Sequence, residues 1–150
     1  TMTEVAGQQG YNSLRGETDF VFNENVPNGS QLIVSATDEA GNTSGTYLVL
    51  DDEAATNSVD LTNMALGDYQ IENLDLDFAE AASVVIDEAS LLALSTETNT
   101  LTIHGSSEDQ VTIQGGIAQG TQDVDGQTYN VYAVGSEGTL LIEQEIPVTI

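Results

Sequence analysis

Thr100-Leu101-Thr102-Ile103-His104-Gly105-Ser106-Ser107-Glu108-Asp109-Gln110-Val111-Thr112-Ile113 reads as a strand, a turn and a second strand. Leu101 and Ile103 fall on one face, with Thr100, Thr102 and His104 on the other, which is the period of two that a half-buried strand requires. Gly105 ends the first run and Gly115-Gly116 ends the second. The same pattern extends in both directions. Upstream, Leu74, Leu76 and Phe78 alternate with Asp75 and Asp77, so both carboxylates are expected on the solvent face. Ile71 is out of phase with that set, which predicts a bulge near Asn73. Val84 to Ile86 is a short strand, and Asp87 is placed to cap one or two helical turns carrying Leu91, Leu92 and Leu94. Downstream, Gly115 to Gly120 reads as a loop, and Asp125-Gly126 is the best hairpin signal in the chain, joining the strand around Val124 to Tyr129–Tyr132. Leu140, Ile142, Ile146, Val148 and Ile150 read as one face of a last strand, with Pro147 marking an edge.

The N-terminal part is built from the same material. Phe20 and Phe22 share a strand face ahead of the Asn28-Gly29 turn signal, and Leu32, Val34 and Ala36 alternate into the turn Asp38-Glu39-Ala40-Gly41-Asn42. Thr46 to Leu50 returns, and Asp51-Asp52-Glu53 ends that strand. The chain therefore divides into residues 1–53, a linker at 54–58, and a second module at 59–150. With a single short helix predicted, the fold class is all-β: antiparallel sandwich-type strands followed by a second β-rich module.

Charge limits the partners. Among 150 residues there are 25 Asp and Glu against one basic residue, Arg15, for a net charge of −24. Two such charges about 10 Å apart in water repel by only ~0.4 kcal/mol, but so many pairs together oppose compaction. Nucleic acid and anionic membrane surfaces both need basic patches, so neither is an expected partner. No apolar run is long enough to cross a bilayer as a helix, and no charged-then-apolar leader opens the chain. With no Cys, disulfides and thiolate metal sites are excluded.

Carboxylates on turns are the ligands that Ca²⁺ prefers, since it takes six to eight oxygens. The candidate metal-ligating residues are Asp38, Glu39 and Asn42 on one turn; Asp51 and Asp52 at a strand end; Asp75 and Asp77 on one strand; Asp109 before another; and Asp123 and Asp125 around the hairpin. There is no twelve-residue EF-hand loop. Catalysis finds little support: His104 reads as an ordinary exposed strand residue, and no Gly-x-Ser-x-Gly elbow accompanies it. Carboxylate pairs at glycosidase spacing are inevitable among 25 acids and carry no information. Tyr129 and Tyr132 lie on opposite strand faces, so one is expected in the core and the other outside, where it could stack on a sugar or peptide.

Two stretches resemble a known family. Val34-Ser-Ala36-Thr-Asp38-Glu-Ala40-Gly41-Asn42-Thr43-Ser44 resembles the closing hairpin of bacterial Ig-like repeats in giant type I-secreted (RTX/Bap-like) surface adhesins. Residues 56–150 resemble a module near the C-terminal end of such adhesins. This second likeness runs through Leu74-Asp75, Leu91-Leu92-Ala93-Leu94-Ser95, Asn99-Thr-Leu101-Thr-Ile103, Asp125-Gly126-Gln-Thr-Tyr129-Asn-Val-Tyr132, Gly138-Thr-Leu140 and Ile146-Pro-Val148. Residues 1–50 supply only half of the roughly 100 residues of an Ig-like sandwich, and the Gly-Gly-x-Gly-x-Asp nonapeptides of β-rolls are missing. The resemblance implies an extracellular, cell-surface segment stiffened by Ca²⁺, non-catalytic, serving attachment or biofilm formation, with neighbouring domains of the same adhesin as partners. The alternatives are a glycan- or peptide-binding module and, least of all, a carbohydrate-active enzyme.

Overall fold

A computed structural model describes residues 2–51, 53 and 57–150. Its strands are β1 (Gly7–Asn12), β2 (Glu17–Phe22), β3 (Ser30–Thr37), β4 (Thr43–Leu50), β5 (Asn57–Val59), β6 (Ile71–Asp75) and β7 (Ala82–Ile86). They continue as β8 (Thr100–His104), β9 (Gln110–Ile113), β10 (Gly116–Val124), β11 (Gln127–Val134), β12 (Gly138–Glu143) and β13 (Val148–Thr149). A 3₁₀ helix covers Met64–Tyr69, and α1 covers Glu88–Leu94. The fold is all-β.

From β4 onward the chain alternates between two sheets. β4, β6, β8 and β12 are successive parallel neighbours in a seven-stranded sheet of order β10-β11-β12-β8-β6-β4-β3. Between them β5, β7, β9 and β13 fall, also parallel, in a four-stranded sheet of order β13-β9-β7-β5. The backbone thus winds as a two-sheet solenoid whose uninterrupted coils take about 27 residues each. Apolar alternation supplies the core, because equivalent positions of successive coils stack. Tyr47, Leu74, Ile103 and Ile142 form one inward row, and Val59, Val84, Val111 and Val148 form the facing one. The middle of each row is closed off: Leu74, Ile103, Ile142, Val84 and Val111 are all 0% exposed.

The corners differ. On one side the sheets are joined by short turns, and at β8–β9 Gly105 is packed so closely that a Cβ would stand 2.7 Å from Asp109 Oδ2, 3.1 Å from Ile146 and 3.3 Å from Leu76. On the other side the chain inserts the 3₁₀ helix, then α1, then the β10–β11 hairpin. Asp87 caps α1 by accepting from Ser90 N at 2.7 Å, while Ser90 Oγ accepts from Asp87 N at 3.0 Å. The hairpin turns through Asp125 and Gly126, both at positive φ (52° and 87°), as the dipeptide predicts. Antiparallel hairpins, β3–β4 at one end and β10–β11 at the other, carry the large sheet past the limits of the small one.

Several expectations are corrected. The strand pairs within residues 59–150 are mostly parallel, a direction the sequence pattern leaves open, and β4, which ends at Leu50 ahead of the expected division at residue 53, pairs with β6 beyond it. Of the linker at 54–58, Asn57 and Ser58 belong to β5, while 54–56 lie outside the described residues. Gly116 to Gly120 is strand, with a register shift between Ala118 and Gly120. The 3₁₀ helix adds a second helical element. The last apolar run is two strands in different sheets, and Phe78 is 55% exposed because the chain has already turned the corner after Leu76. The bulge near Asn73 is present, with Glu72 as the extra residue between Ile71 and Asn73, and Pro147 does precede an edge strand.

Candidate functional site

Parallel, in-register stacking brings together outward side chains that are far apart in sequence. At the C-terminal ends of β6 and β8, Asp75 lies opposite His104. Ile103 pairs with Ile142, so the next position sets His104 beside Glu143, and Glu143 in turn faces Tyr129 on β11. The row Asp75–His104–Glu143–Tyr129 therefore crosses four adjacent strands on the outer face of the large sheet. His104 Nδ1 stands 3.4 Å from Glu143 Oε1 and 3.4 Å from the Tyr129 hydroxyl, whose ring meets the imidazole edge-on with centroids 5.8 Å apart. With a proton on Nδ1, His104 donates to Glu143; without it, Nδ1 accepts from Tyr129. Glu143 Oε2 also accepts the Gly105 N–H at 3.0 Å, which ties the row to the tight corner.

The two aspartates feel one another. Asp75 is half-buried, and its Oδ1 accepts the Asp77 N–H at 3.0 Å. Burial raises the Asp75 carboxyl above its ordinary value; the Asp77 N–H and His104 oppose that rise, and Glu143 adds to it. Asp77 is raised too, by burial first and then by Asp75 and Glu143. Burial likewise raises the Tyr129 phenol, with Glu143 and Asp125 adding to the effect.

The other predicted ligands have separate work. Asp38 is a turn clasp: Oδ1 accepts from Ala40 N and Asn42 N and Oδ2 from Asn42 Nδ2, each at 2.9 Å. These bonds, the Asn42 side chain first, lower its pKa. Glu39 is exposed on the same turn. Asp51 directly follows β4, where its Oδ1 accepts from Glu53 N and its backbone bridges to Ala79; Asp52 lies outside the described residues. Asp109 is 2% exposed and wholly committed, with Oδ1 accepting Ala82 N at 2.9 Å and Oδ2 accepting Ser106 N at 2.7 Å and Ser106 Oγ at 3.2 Å. Asp123 accepts from Thr128 Oγ1 at 2.6 Å, and Asp125 forms the adjoining turn.

Tested against Ca²⁺ chemistry, the fit is partial. Asp75 and Asp77 offer neighbouring hard-oxygen donors, and burial is the first cause of their raised pKa values. Yet among the described residues no three acidic or histidine side chains converge tightly enough to hold a metal ion. Neither tyrosine offers an open ring, since Tyr129 is 5% exposed and Tyr132 packs against the core. Sequence reasoning missed Glu143 as a member of the row and took His104 for a plain surface residue. The available signal was that both occupy outward positions directly after buried isoleucines. It also missed two clasps. Glu88 Oε1 accepts Ser136 N at 2.6 Å and Glu137 N at 3.0 Å, and Gln70 Oε1 accepts Thr96 N at 2.7 Å and Ser95 Oγ at 3.0 Å.

Comparison with known protein families, with characterised proteins and with solved structures finds no match.

Proposed function

We propose that this chain is a non-catalytic, load-bearing segment of an extracellular bacterial adhesin, serving cell attachment or biofilm formation and stiffened by Ca²⁺. One observation carries the reading: the two apolar rows run unbroken through four coils, giving a rod-like unit whose core is filled and whose corners are clasped by carboxylates. Such an array resists extension, because each coil is held by main-chain ladders to its neighbours. The part of residues 1–53 ahead of the first coil is the closing part of an Ig-like repeat, a reading supported by the antiparallel β1–β2 and β3–β4 hairpins and the Asp38–Asn42 turn, with β4 shared between that hairpin and the first coil. Ca²⁺ acts on the surface, bridging carboxylates such as Asp75 and Asp77 with water completing its shell, so that repulsion becomes cross-linking. At a hundredfold excess over Kd, that binding adds about 2.7 kcal/mol. Thermal melts in millimolar Ca²⁺ and in chelator test this: the midpoint is expected to rise with Ca²⁺, and equal midpoints would remove Ca²⁺ from the proposal.

A further inference from the structure

At the N-terminal end an unpaired strand edge coincides with an apolar cleft. β3 is the last strand of the large sheet and, among the described residues, pairs only with β4. The Asp38 N–H donates to Asn42 O at 2.9 Å, which fixes the phase of that antiparallel ladder. Counting back in twos, the even residues of β3 bond to β4, so the main-chain groups of Gln31, Ile33 and Ser35 point away from it. Beside this edge lies a cleft of about 880 Å³, walled by Met2, Phe20 and Phe22 on the arm side and by Ile33, Tyr47 and Tyr69 on the solenoid side. A second cleft, of about 510 Å³, continues it along Ser30–Leu32.

We propose that this slot is an acceptor for an extended strand from a partner polypeptide, which pairs with the free edge of β3 and lays alternate apolar side chains into the cleft. The row of outward N–H and C=O groups selects the occupant, because only an extended backbone satisfies a strand edge along its length. The length of β3, eight residues, matches a single strand. Charge sets the rest: the charged groups on the clefts are the acids Glu4, Glu24 and Asp60, with no cation among their lining residues. The bound strand therefore carries no acidic side chain toward the slot and favours a basic residue at its ends. This docking role is independent of the load-bearing role proposed above.

The probe is a labelled nonapeptide of alternating valine and threonine with a lysine at each end, titrated against the full chain. Saturable binding is expected, with amide exchange at Ile33 and Ser35 slowed about tenfold or more. Ser35→Pro, which deletes one outward N–H and leaves the β4 ladder intact, should weaken binding at least tenfold, and Phe20→Ala should weaken it through the opposite wall. A probe N-methylated at alternate residues, which needs no variant to fold, should fail to bind. Absence of saturable binding, equal binding of the N-methylated probe, or unchanged exchange at β3 would each overturn the proposal. So would a dimer, seen by sedimentation, that Ser35→Pro abolishes, because the slot would then belong to a second copy.

Discussion

Replacing Asp109 by alanine tests whether buried carboxylate clasps hold the tight corners. Asp109 is 2% exposed and accepts three hydrogen bonds, two of them from the backbone N–H groups of Ala82 and Ser106. Ala82 is itself 2% exposed, so its N–H has no water to turn to. A hydrogen bond to a charged group contributes about 1.5–3 kcal/mol net, and each buried donor left unpaired costs about 1–3 kcal/mol. Part of that loss is offset because the carboxylate no longer has to be desolvated, so the expected destabilisation is about 3–4 kcal/mol. In a chain of this size that lowers the thermal midpoint by roughly 10 °C. Asp109→Asn retains one acceptor but turns an NH₂ toward the Ser106 donors, and should cost about half as much. Urea melts followed by far-UV circular dichroism supply the measurement, since the chain has no Trp. Gly105→Ala adds a control: its Cβ would crowd Asp109 Oδ2 at 2.7 Å, so the two substitutions should be non-additive in a double-mutant cycle. An Asp109→Ala loss below about 1 kcal/mol, or strict additivity with Gly105→Ala, would refute the clasp.

The outer row and the α1 clasp make opposite predictions about pH. Because the folded Asp75 carboxyl titrates above its unfolded value of 3.8, ionising it opposes folding, and stability is regained as pH falls through the folded pKa. Asp75→Asn keeps an acceptor for Asp77 N, so at pH 7 its thermal midpoint should exceed that of the parent, with the gap closing toward pH 4. Glu88 behaves in reverse: the Ser136 N–H, then the Glu137 N–H, hold its carboxyl below 4.5, so its contribution is present above that pH and disappears as pH falls through the lower folded value. Glu88→Gln should therefore lower the midpoint at pH 7 and speed amide exchange at Ser136 and Glu137. In the core, Ile103→Val should cost about 1 kcal/mol and Ile103→Ala about 2–5 kcal/mol in chemical denaturation, since the site is 0% exposed and flanked by Leu74 and Ile142.

Features that depend on neighbouring residues alone were legible in the sequence. Asp87 before Glu88–Leu94, Asp125-Gly126 at the hairpin and the displaced phase of Ile71 all signal through local backbone chemistry, and each is found in place. Strand partners were not legible. A period of two says which side chains share a face and is silent about what lies alongside, so parallel and antiparallel ladders look alike. The valines at 59, 84 and 111 carry the coil repeat, but insertion of β10–β11 pushes the next one out to Val148 and hides the period. The same limit applies to the site. Asp75 and Asp77 are neighbours in sequence and could be paired on sight, whereas His104, Glu143 and Tyr129 meet only through register between strands.

Register also explains how so acidic a chain tolerates a parallel wrap. Equivalent positions in adjacent parallel strands sit about 4.8 Å apart, so an acid repeated in every coil would stack into a line of like charges. At that spacing each adjacent pair repels by ~0.9 kcal/mol even in water, and by several times more where burial lowers the dielectric. The outer row avoids this by alternation: His104 stands between Asp75 and Glu143, which doubles their separation and offers the nearer carboxylate a donor. The row inside it, Thr46–Asn73–Thr102–Leu141, is uncharged throughout. Acids at a turn and at the start of α1 are met by backbone N–H groups, as at Asp38, Asp87 and Glu88. Negative charge is thus compatible with the solenoid because it is kept out of register; at Asp75 and Asp77 it is burial first, with the Glu143 charge adding to it, that raises the carboxyl pKa values.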